Sequence, residues 1–304
     1  MGRGVVNIRQ GALQDPRKIK CYTKVEALVV NSKLNYAIAL LKAIALLRRM
    51  FERIAFNLNF EYHCRKLREM GDKPFISFVV PTRNEARYLP KLLMSINYIA
   101  QVCGVPAETI VVDYRSEDGT PDIAKKMGAK VVEVDKPGVG YASYIGVLSA
   151  KGDIIIRTDA DVIMTPSVIQ EIIKVFMDNP EKLIATVGHI YYPLDLTTNL
   201  MAYLYDYYIR RPYKTTGYFI AFKKSVVEKV NFNPKLRVHE DYNFGRRAYE
   251  IFGLRSMYYN PLVAVFVSAR LIKKKGLGRY LLDELGITKS GIISYSQLVA
   301  DHGL

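Results

Sequence analysis

Two aspartates, Asp159 and Asp161, are the residues whose type and spacing point most directly to chemistry. They follow an apolar run at 153–158 that is typical of a buried strand, and one small residue separates them. Mg²⁺ or Mn²⁺ binds in proteins through one or two carboxylates, completed by phosphate oxygens and water. The pair therefore predicts a divalent-cation site for a phosphorylated ligand. A capped turn before a helix at Pro166 is the structural alternative.

A second acidic pair, Glu240 and Asp241, follows His239 and opens a helical pattern at 241–251. Carboxylates in the first turn of a helix stabilise its free N–H groups and its dipole, and we expect Glu240 to do this. A carboxylate can also accept the proton of an attacking hydroxyl as a general base. Asp241 is the candidate for that role.

Short apolar strands must position these acids. The chain has 304 residues, half of them hydrophobic, which is enough for a substantial core. From residue 75 onward, apolar runs alternate with helical patterns, which is typical of a parallel sheet covered by helices. The expected strands are 75–80, 109–113, 130–134, 153–158, 183–190 and 216–222. The expected helices are 86–100, 121–127, 139–150, 166–178, 196–211, 241–251 and 271–285.

Polar residues follow three of the predicted strands. Residues 81–85, 113–116 and 159–161 each stand at a strand end. In an open parallel sheet, ligands bind beyond the carboxyl ends of the strands. We therefore expect these three segments to meet at one edge of the sheet.

The N-terminal region differs in composition. Residues 1–73 hold 15 Lys and Arg against 6 Asp and Glu, a net charge of +9 out of +15 for the whole chain. Residues 23–70 have a helical pattern with both apolar and basic positions, which fits a helix at an anionic membrane surface. Packing on the main domain or on a second subunit is the alternative. We predict a helical extension at 1–72 and one domain at 73–304.

No membrane-spanning helix is expected. The most apolar stretch, 34–47, is too short to span a bilayer and contains Lys42. The three cysteines, Cys21, Cys64 and Cys103, are odd in number and lack metal-site spacing, which predicts free thiols in a reducing compartment. The expected location is the cytoplasm, with the cytoplasmic face of the membrane as the alternative.

Six segments in order resemble the family 2 inverting glycosyltransferases of the GT-A fold. They are "FVVPTRNEARYLPKLLMSI", "IVVDYRSEDGTPDIAKKMGAKVV", "AKGDIIIRTDADVIMTP", "TTGYFIAFKKSVVEKV", "HEDYNFGRRA" and "FVSARLIKKKGLGRYLL". The resemblance covers about residues 75–285. It implies a GT-A-like, mostly parallel sheet flanked by helices, here with a helical N-terminal extension.

The resemblance also implies a reaction and its residues. A sugar would pass from a nucleoside-diphosphate sugar to an acceptor hydroxyl of a saccharide, lipid or protein, with inversion and with Mg²⁺ or Mn²⁺. Asp241 would be the general base, and Asp161, with Asp159, would hold the metal. The implied donor-binding residues are Pro81, Thr82, Arg83, Glu85, Asp113, Asp159, Arg247 and Arg270.

The sequence departs from the family pattern at three points. Tyr114 stands where the family often has a second acid, and Ile163 stands where the polyprenol-phosphate sugar synthases have a polar residue. The chain has no Trp, so the Gln-x-x-Arg-Trp ending of processive polysaccharide synthases is absent. A processive synthase is therefore not expected.

Two other functions fit parts of the sequence. A sugar-nucleotide nucleotidyltransferase would share the sheet and the metal site, but "PTRNEARYLP" lacks the glycine-rich loop expected there. A basic adaptor for membranes or nucleic acid, built on a degenerate nucleotide-binding fold, would suit the charge. The carboxylates at the strand ends oppose it, since they repel phosphate without a metal. We expect no nucleic-acid partner, and a homodimer is left open.

Overall fold

In the computed structural model, the described residues are 16–276, 287–288 and 291–292, and side chains are described from residue 35 to residue 276. The chain divides into two compact units, residues 1–52 and residues 53–304. The second unit therefore begins before the domain boundary that we predicted after residue 72. That boundary remains a prediction.

The helical pattern predicted at 23–70 is confirmed. Helix α1 (Pro16–Leu58) is followed, after Asn59, by helix α2 (Phe60–Glu69). Asn59 caps α2, because its side chain accepts a hydrogen bond from the backbone N–H of Tyr62 at 3.3 Å. Among the described residues, no helix combines the length and the apolar content that a bilayer crossing requires.

The alternation of strands and helices predicted after residue 75 is also confirmed. The strands are β1 (Ile76–Thr82), β2 (Ala107–Tyr114), β3 (Lys130–Val134), β4 (Ile154–Arg157), β5 (Val162–Ile163), β6 (Ile184–Tyr192), β7 (Ile220–Lys223) and β8 (Met257–Ser268). The helices are α3 (Leu89–Gln101), α4 (Thr120–Lys126), α5 (Val139–Ser149), α6 (Pro166–Asp178), α7 (Leu196–Leu204), α8 (Glu240–Phe252) and α9 (Arg270–Lys275). A π-helical turn, Tyr205–Ile209, extends α7. Two short strands, β9 (Ile287–Thr288) and β10 (Gly291–Ile292), pair antiparallel.

The main sheet has the order β3-β2-β1-β4-β7-β6-β8-β5. The first four strands are parallel, β7 lies antiparallel between β4 and β6, and β8 is parallel to β6. The fold is therefore α/β with a mostly parallel sheet flanked by helices, as predicted. The parallel strands point their carboxyl ends toward one edge of the sheet.

Alternation along the strands builds a core on each face of this sheet. In β1, Phe78 and Val80 join one buried cluster and Val79 joins the other. In β4, Ile154 and Ile156 lie on the first face and Ile155 on the second. Because both faces are covered, these strands are continuous apolar runs, which made them visible in the sequence.

Strand β8 was not predicted. It contains Pro261 near its middle, and its pairing with β6 shifts register between Val187 and Gly188. Proline cannot donate to a sheet ladder, so the interrupted run lacks the signature of a central strand. The strand matters because its carboxyl end brings Arg270 to the site.

The prediction of free thiols is wrong for two of the three cysteines. Cys64 on α2 and Cys103, just after α3, form a disulfide, and both are fully buried. They are separated by 39 residues, so their spacing carried no signal of pairing. The side chain of Cys21 lies outside the described part of the chain.

Candidate functional site

The three polar strand ends meet at one edge, as predicted. Thr82 and Asp113 are register partners on β1 and β2. Val79 pairs with Arg157 on β4, and the next backbone N–H, that of Thr158, donates to the Val79 carbonyl at 3.0 Å. Asp159 and Asp161 therefore follow immediately beyond the central strands.

Asp113 is buried at this edge and is already hydrogen-bonded by the protein. Its Oδ1 accepts from Thr82 Oγ1 at 2.9 Å and from Ser116 Oγ at 2.6 Å, and its Oδ2 accepts from Ser116 N–H at 2.9 Å. A carboxylate has about four lone-pair positions, so one remains for a ligand. A cavity of about 680 Å³ opens beside it, and Arg115, Lys125 and Asp135 are in its lining.

The segment after β1 is joined to the segment after β2. Asn84 has a left-handed backbone, and its N–H donates to Ser116 Oγ at 2.8 Å. The Glu85 N–H donates to Thr120 Oγ1 at 2.9 Å. The Arg83 guanidinium lies 5.0 Å from the centre of the Tyr114 ring. Tyr114, whose role the sequence left open, thus holds an arginine at the predicted nucleoside side.

Arg270 connects two of the predicted site residues. Its two Nη atoms each lie 2.7 Å from a Glu85 carboxylate oxygen, and its Nε lies 2.7 Å from Asp161 Oδ2. Its guanidinium also lies 4.6 Å from the centre of the Tyr88 ring. Helix α9 begins at Arg270, directly after β8, so the end of β8 delivers this cation to the edge.

Asp161 is fixed and buried. Its backbone carbonyl accepts from Ser268 N–H and from Tyr192 Oη, each at 3.0 Å. Burial, and next the charge of Asp159, raise the pKa of Asp161 to about 7, although Arg270 acts in the opposite direction. Its side chain is only 8 % exposed, whereas that of Asp159 is 43 % exposed.

Arg157 was not identified by the sequence reasoning, yet it holds the site together. It is 1 % exposed at the end of β4. Its Nη1 donates to Asp159 Oδ1 at 2.6 Å and to the Gly217 carbonyl. Its Nη2 donates to Glu240 Oε1 at 2.6 Å. An arginine inside an apolar strand is the signal that could have revealed it, because an arginine is rarely buried without a partner.

Glu240 and Asp241 lie in the first turn of helix α8, as predicted. The Glu240 carboxylate also accepts a hydrogen bond from Arg157, and burial raises its pKa to about 7 despite that contact. Asp241 Oδ2 accepts from Gly217 N–H at 2.6 Å, and its Oδ1 accepts from Tyr242 N–H at 2.8 Å. Burial also raises the pKa of Asp241. A carboxylate with a raised pKa is suited to accept a proton.

Gly217 lies between the two acidic pairs. A Cβ at this position would lie 2.6 Å from Arg157 Nη1 and 2.8 Å from Asp159 Oδ2. Only glycine allows the backbone to approach these groups so closely. Asp159 and Asp241 are therefore neighbours of the same glycine.

For two other predicted site residues, the structure gives different neighbours. Arg247 lies on α8, and its Nη1 donates to the Asn231 carbonyl at 3.1 Å. At 1.5 Å per residue it is about 9 Å along the helix from Asp241. Pro81 lies within β1, opposite Val112. Their roles remain predictions.

The carboxylates of Asp159 and Asp161 are the candidate metal ligands. Within residues 35–276, no group of three or more acidic, His or Cys side chains is arranged to hold a metal ion. Two carboxylates are sufficient for Mg²⁺ or Mn²⁺ when a bound diphosphate and water supply the remaining oxygens. The carboxylate oxygens are suitable ligands for such an ion. In the structure each carboxylate pairs with an arginine, Asp159 with Arg157 and Asp161 with Arg270.

The chain is similar in sequence to several glycosyltransferases. It is 37% identical over 116 residues to 4,4'-diaponeurosporenoate glycosyltransferase of Staphylococcus haemolyticus, which covers 36% of this chain and 30% of that protein. It is 36% identical over 86 residues to dolichyl-phosphate hexose transferase of Haloferax volcanii, covering 28% and 36%. It is 34% identical over 121 residues to mouse dolichyl-phosphate beta-glucosyltransferase, covering 35% and 37%. The matches span about a third of each relative.

Solved structures share the fold. Glucosyl-3-phosphoglycerate synthase from Mycobacterium tuberculosis, crystallised with Mn²⁺, uridine diphosphate and phosphoglyceric acid, has a TM-score of 0.52 at 22% identity and covers 79% of this chain and 83% of that one. Mannosyl-3-phosphoglycerate synthase from Rubrobacter xylanophilus has a TM-score of 0.51 at 18% identity, covering 75% and 79%. At identities this low, the similarity shows a shared fold and nothing further.

The family assignment comes from the sequence of the domain itself. The model of "Glycosyl transferase family 2" matches residues 77–232, just over half of the chain. The matched region contains all but the first residue of β1, together with β2, β4 and the Asp159-Ala160-Asp161 segment. The chain belongs to glycosyl transferase family 2.

Proposed function

We propose that this protein transfers a hexosyl group from a nucleoside-diphosphate sugar to an acceptor hydroxyl, with inversion at the anomeric carbon. The observation that carries the proposal is the position of Asp241. This partly buried carboxylate hydrogen-bonds Gly217, and a Cβ on Gly217 would touch Asp159 of the first acidic pair. A candidate base and a candidate donor-binding carboxylate thus flank one backbone segment.

The donor is proposed to bind beyond the ends of β1, β2 and β4. The remaining acceptor position of Asp113 and the cavity beside it suit a base or ribose. Pro81, Thr82, Arg83 and Glu85 would complete the nucleoside side. Arg270 would contact the diphosphate, since its guanidinium matches phosphate geometry. The solved relative of the same fold with uridine diphosphate supports a nucleotide ligand of this class.

Asp161, together with Asp159, would hold Mg²⁺ or Mn²⁺. When bound, such an ion offsets the negative charge that develops on the leaving diphosphate. Arg270 must then release Asp161 or share it, because its Nε now occupies one carboxylate oxygen. The Mn²⁺ in the solved relative supports this choice of cation.

Asp241 supplies the acid–base step in this proposal. Its carboxylate accepts the proton of the acceptor hydroxyl as that oxygen attacks the anomeric carbon. The attack comes from the face opposite the diphosphate. The bond from the anomeric carbon to the diphosphate oxygen breaks, and the diphosphate leaves with the electron pair. A single displacement of this kind inverts the anomeric configuration.

Residues 23–70 are proposed to contact an anionic membrane surface peripherally. In the first unit, Tyr36, Leu41 and Phe51 are exposed apolar side chains on α1, and Lys42 and Arg48 are exposed on the same helix. Apolar groups beside cations suit the headgroup boundary of an anionic bilayer. The acceptor is left as a hydroxyl of a saccharide, lipid or protein.

A donor screen tests the proposal. Purified full-length protein is incubated with UDP-, GDP- and dTDP-hexoses, with Mn²⁺ or Mg²⁺, and release of the nucleoside diphosphate is measured. We expect one nucleotide class to raise the thermal midpoint and to be turned over, with loss of both effects in EDTA. A protein that neither binds nor cleaves any of these donors would contradict the proposed function. The Asp159→Asn/Asp161→Asn double variant is the control for contaminating enzymes.

A further inference from the structure

Arg157 is completely enclosed by four segments of the second unit. Its Nε donates to Ser143 Oγ on α5 at 3.3 Å, and its two Nη atoms reach Asp159, the Gly217 carbonyl and Glu240. These partners come from α5, the end of β4, the segment before β7 and the start of α8. The guanidinium fork of an arginine is the side chain that can reach several oxygens in fixed directions.

The contacts form a continuous path from the donor carboxylate to the candidate base. Arg157 Nη1 binds both Asp159 Oδ1 and the carbonyl of Gly217. The N–H of the same glycine donates to Asp241 Oδ2 at 2.6 Å. Arg157 therefore fixes the peptide unit that follows Gly217, and the peptide unit that precedes it aims the Asp241 carboxylate.

The charge balance points the same way. Arg157 is surrounded by Asp159, Glu240 and Asp241, whose charges all favour its protonated form although burial opposes it. Removing one partner of a buried charge cluster leaves the remaining charges uncompensated, which is costly. Apolar side chains could fill the same space if stability were the only requirement. Here a buried cation instead contacts residues of both the proposed donor side and the proposed acceptor side.

We propose that Arg157 is a positioning residue that couples Asp159 on the donor side to Asp241 on the acceptor side, through the backbone of Gly217. This inference rests on the proposed function. Gly217 belongs to the same coupling, because a Cβ at this position would displace Arg157 Nη1. Arg157 itself touches neither reacting group.

Two variants break this path at different points. Arg157→Lys keeps a positive charge but loses the fork, and Gly217→Ala forces Arg157 away from the backbone. Arg53→Lys is the matched control, because Arg53 is also a buried arginine and hydrogen-bonds His189 and Asp206, outside the path. Thermal midpoints and circular dichroism of all three identify any variant that fails to fold. If Arg157→Lys or Gly217→Ala fails to fold, the other of these two variants tests the path.

The first readout is backbone hydrogen exchange, which requires no activity. For Arg157→Lys and Gly217→Ala, we expect faster backbone hydrogen exchange than in the wild type in peptides covering 213–219 and 240–243. Each protein is measured at the same number of degrees below its own thermal midpoint. Arg53→Lys should leave both peptides at the wild-type rate. Unchanged exchange at 213–219 in Arg157→Lys would overturn the coupling, whatever the donor screen gives.

The second readout is turnover of the donor found in the screen. We expect kcat to fall on the order of 100-fold in Arg157→Lys, as for a misplaced catalytic group, with KM for the donor changing far less. In the Asp241→Asn background, Arg157→Lys should add little further loss, because both changes act on one step. Full additivity, or a wild-type kcat in Arg157→Lys, would overturn the positioning role. If the wild type is inactive on every donor, the proposed function fails, and the exchange result alone supports or overturns the path.

Discussion

Arg270 and Asp161 form an ion pair in which Nε lies 2.7 Å from Oδ2. The same arginine is bidentate to Glu85. A protein cation therefore stands at the carboxylate that is proposed to hold a metal. Asp161 can therefore pair with Arg270 or bind a metal ion, and separate measurements of metal binding and nucleotide binding distinguish these two roles.

We expect Arg270→Gln to change these two affinities in opposite directions. Without the guanidinium, Asp161 is free to bind a cation, so the affinity for Mn²⁺ alone should rise. The affinity for UDP with Mn²⁺ should fall, because a charge-assisted contact with the diphosphate is lost. Isothermal titration calorimetry measures both. Arg246→Gln, which removes an exposed arginine from α8, should change neither. A fall in both affinities would show that Arg270 mainly maintains the fold of the site.

Asp241→Asn should lower the rate of transfer strongly and preserve donor binding. The amide keeps the shape of the side chain but cannot accept the acceptor proton, and loss of a general base typically costs about 10²–10⁴-fold in rate. Turnover is measured by nucleoside-diphosphate release, and donor binding by calorimetry. Asp178→Asn, an exposed change on α6, is the control. Wild-type turnover in Asp241→Asn would remove this residue from the mechanism.

As the pH is lowered, the rate of the wild-type enzyme should begin to fall at a higher pH than is usual for an aspartate base. The general base must be deprotonated, and burial raises the pKa of Asp241 above the usual range for aspartate, which is about 4. We therefore expect the acid limb of kcat/KM to lie above about pH 4. An acid limb below that pH would contradict the raised pKa.

The sequence was sufficient for the first half of the sheet and for the meeting of the polar strand ends at one edge. The buried strands are continuous apolar runs, Asp113 lies near the end of β2, and Asp159 and Asp161 follow β4, so position along the chain was enough to place them together. Glu85 and Arg270 lie far apart in sequence, and their ion pair depends on β8, which Pro261 concealed.

Contacts that depend on the finished fold could not be read in advance. Glu240 was expected to interact with the N-terminus of α8, and it lies in the first turn of that helix, but its hydrogen bond from the buried Arg157 was not predicted. The Cys64–Cys103 disulfide joins residues with no local pattern. In both cases the deciding neighbour comes from a distant segment, which periodicity and spacing do not report.

Asp206→Asn should destabilise the second unit strongly. Asp206 is fully buried, and its carboxylate pairs with Arg53 at 2.7 Å and with His189 at 3.2 Å. Burial alone would raise the pKa of Asp206, but its positive neighbours outweigh burial and hold the pKa well below the usual range. Breaking a buried pair costs about 3–5 kcal/mol of the free energy of unfolding. Urea denaturation at pH 7 measures this loss, with Asp122→Asn as the exposed control.

The sign of the pH dependence follows from the lowered pKa of Asp206. A carboxylate of this kind stabilises the folded state fully above its unfolded pKa of about 4, and its contribution is lost as the pH falls toward the folded value. The stability difference between wild type and Asp206→Asn should therefore be constant from pH 7 down to about pH 5 and should narrow below about pH 4. A difference that widens on acidification would contradict this account.

The full-length protein should bind anionic vesicles through its first unit. Changing Lys42, Arg48 and Arg49 to Gln removes three exposed cations from α1, each worth about 1 kcal/mol near an anionic surface. We expect flotation with phosphatidylserine-containing vesicles to be lost in this variant, and wild-type binding to weaken with salt. The variant with Lys125 and Lys126 changed to Gln, on α4, is the control. Equal flotation of both variants would instead favour packing of α1 against protein.

Thiol titration should find one reactive cysteine in the unfolded, unreduced protein and three after reduction. The chain has three cysteines, and Cys21 is the one that does not take part in the Cys64–Cys103 disulfide. Because the disulfide joins α2 to the end of α3, Cys103→Ser should lower the free energy of unfolding by about 2–5 kcal/mol under oxidising conditions. Reductant should lower wild-type stability toward the level of Cys103→Ser and leave that variant unchanged, whereas Cys21→Ser serves as the control with an intact disulfide. Three reactive thiols in protein that was never reduced would show that the bond is absent, and the original expectation of free thiols would then stand.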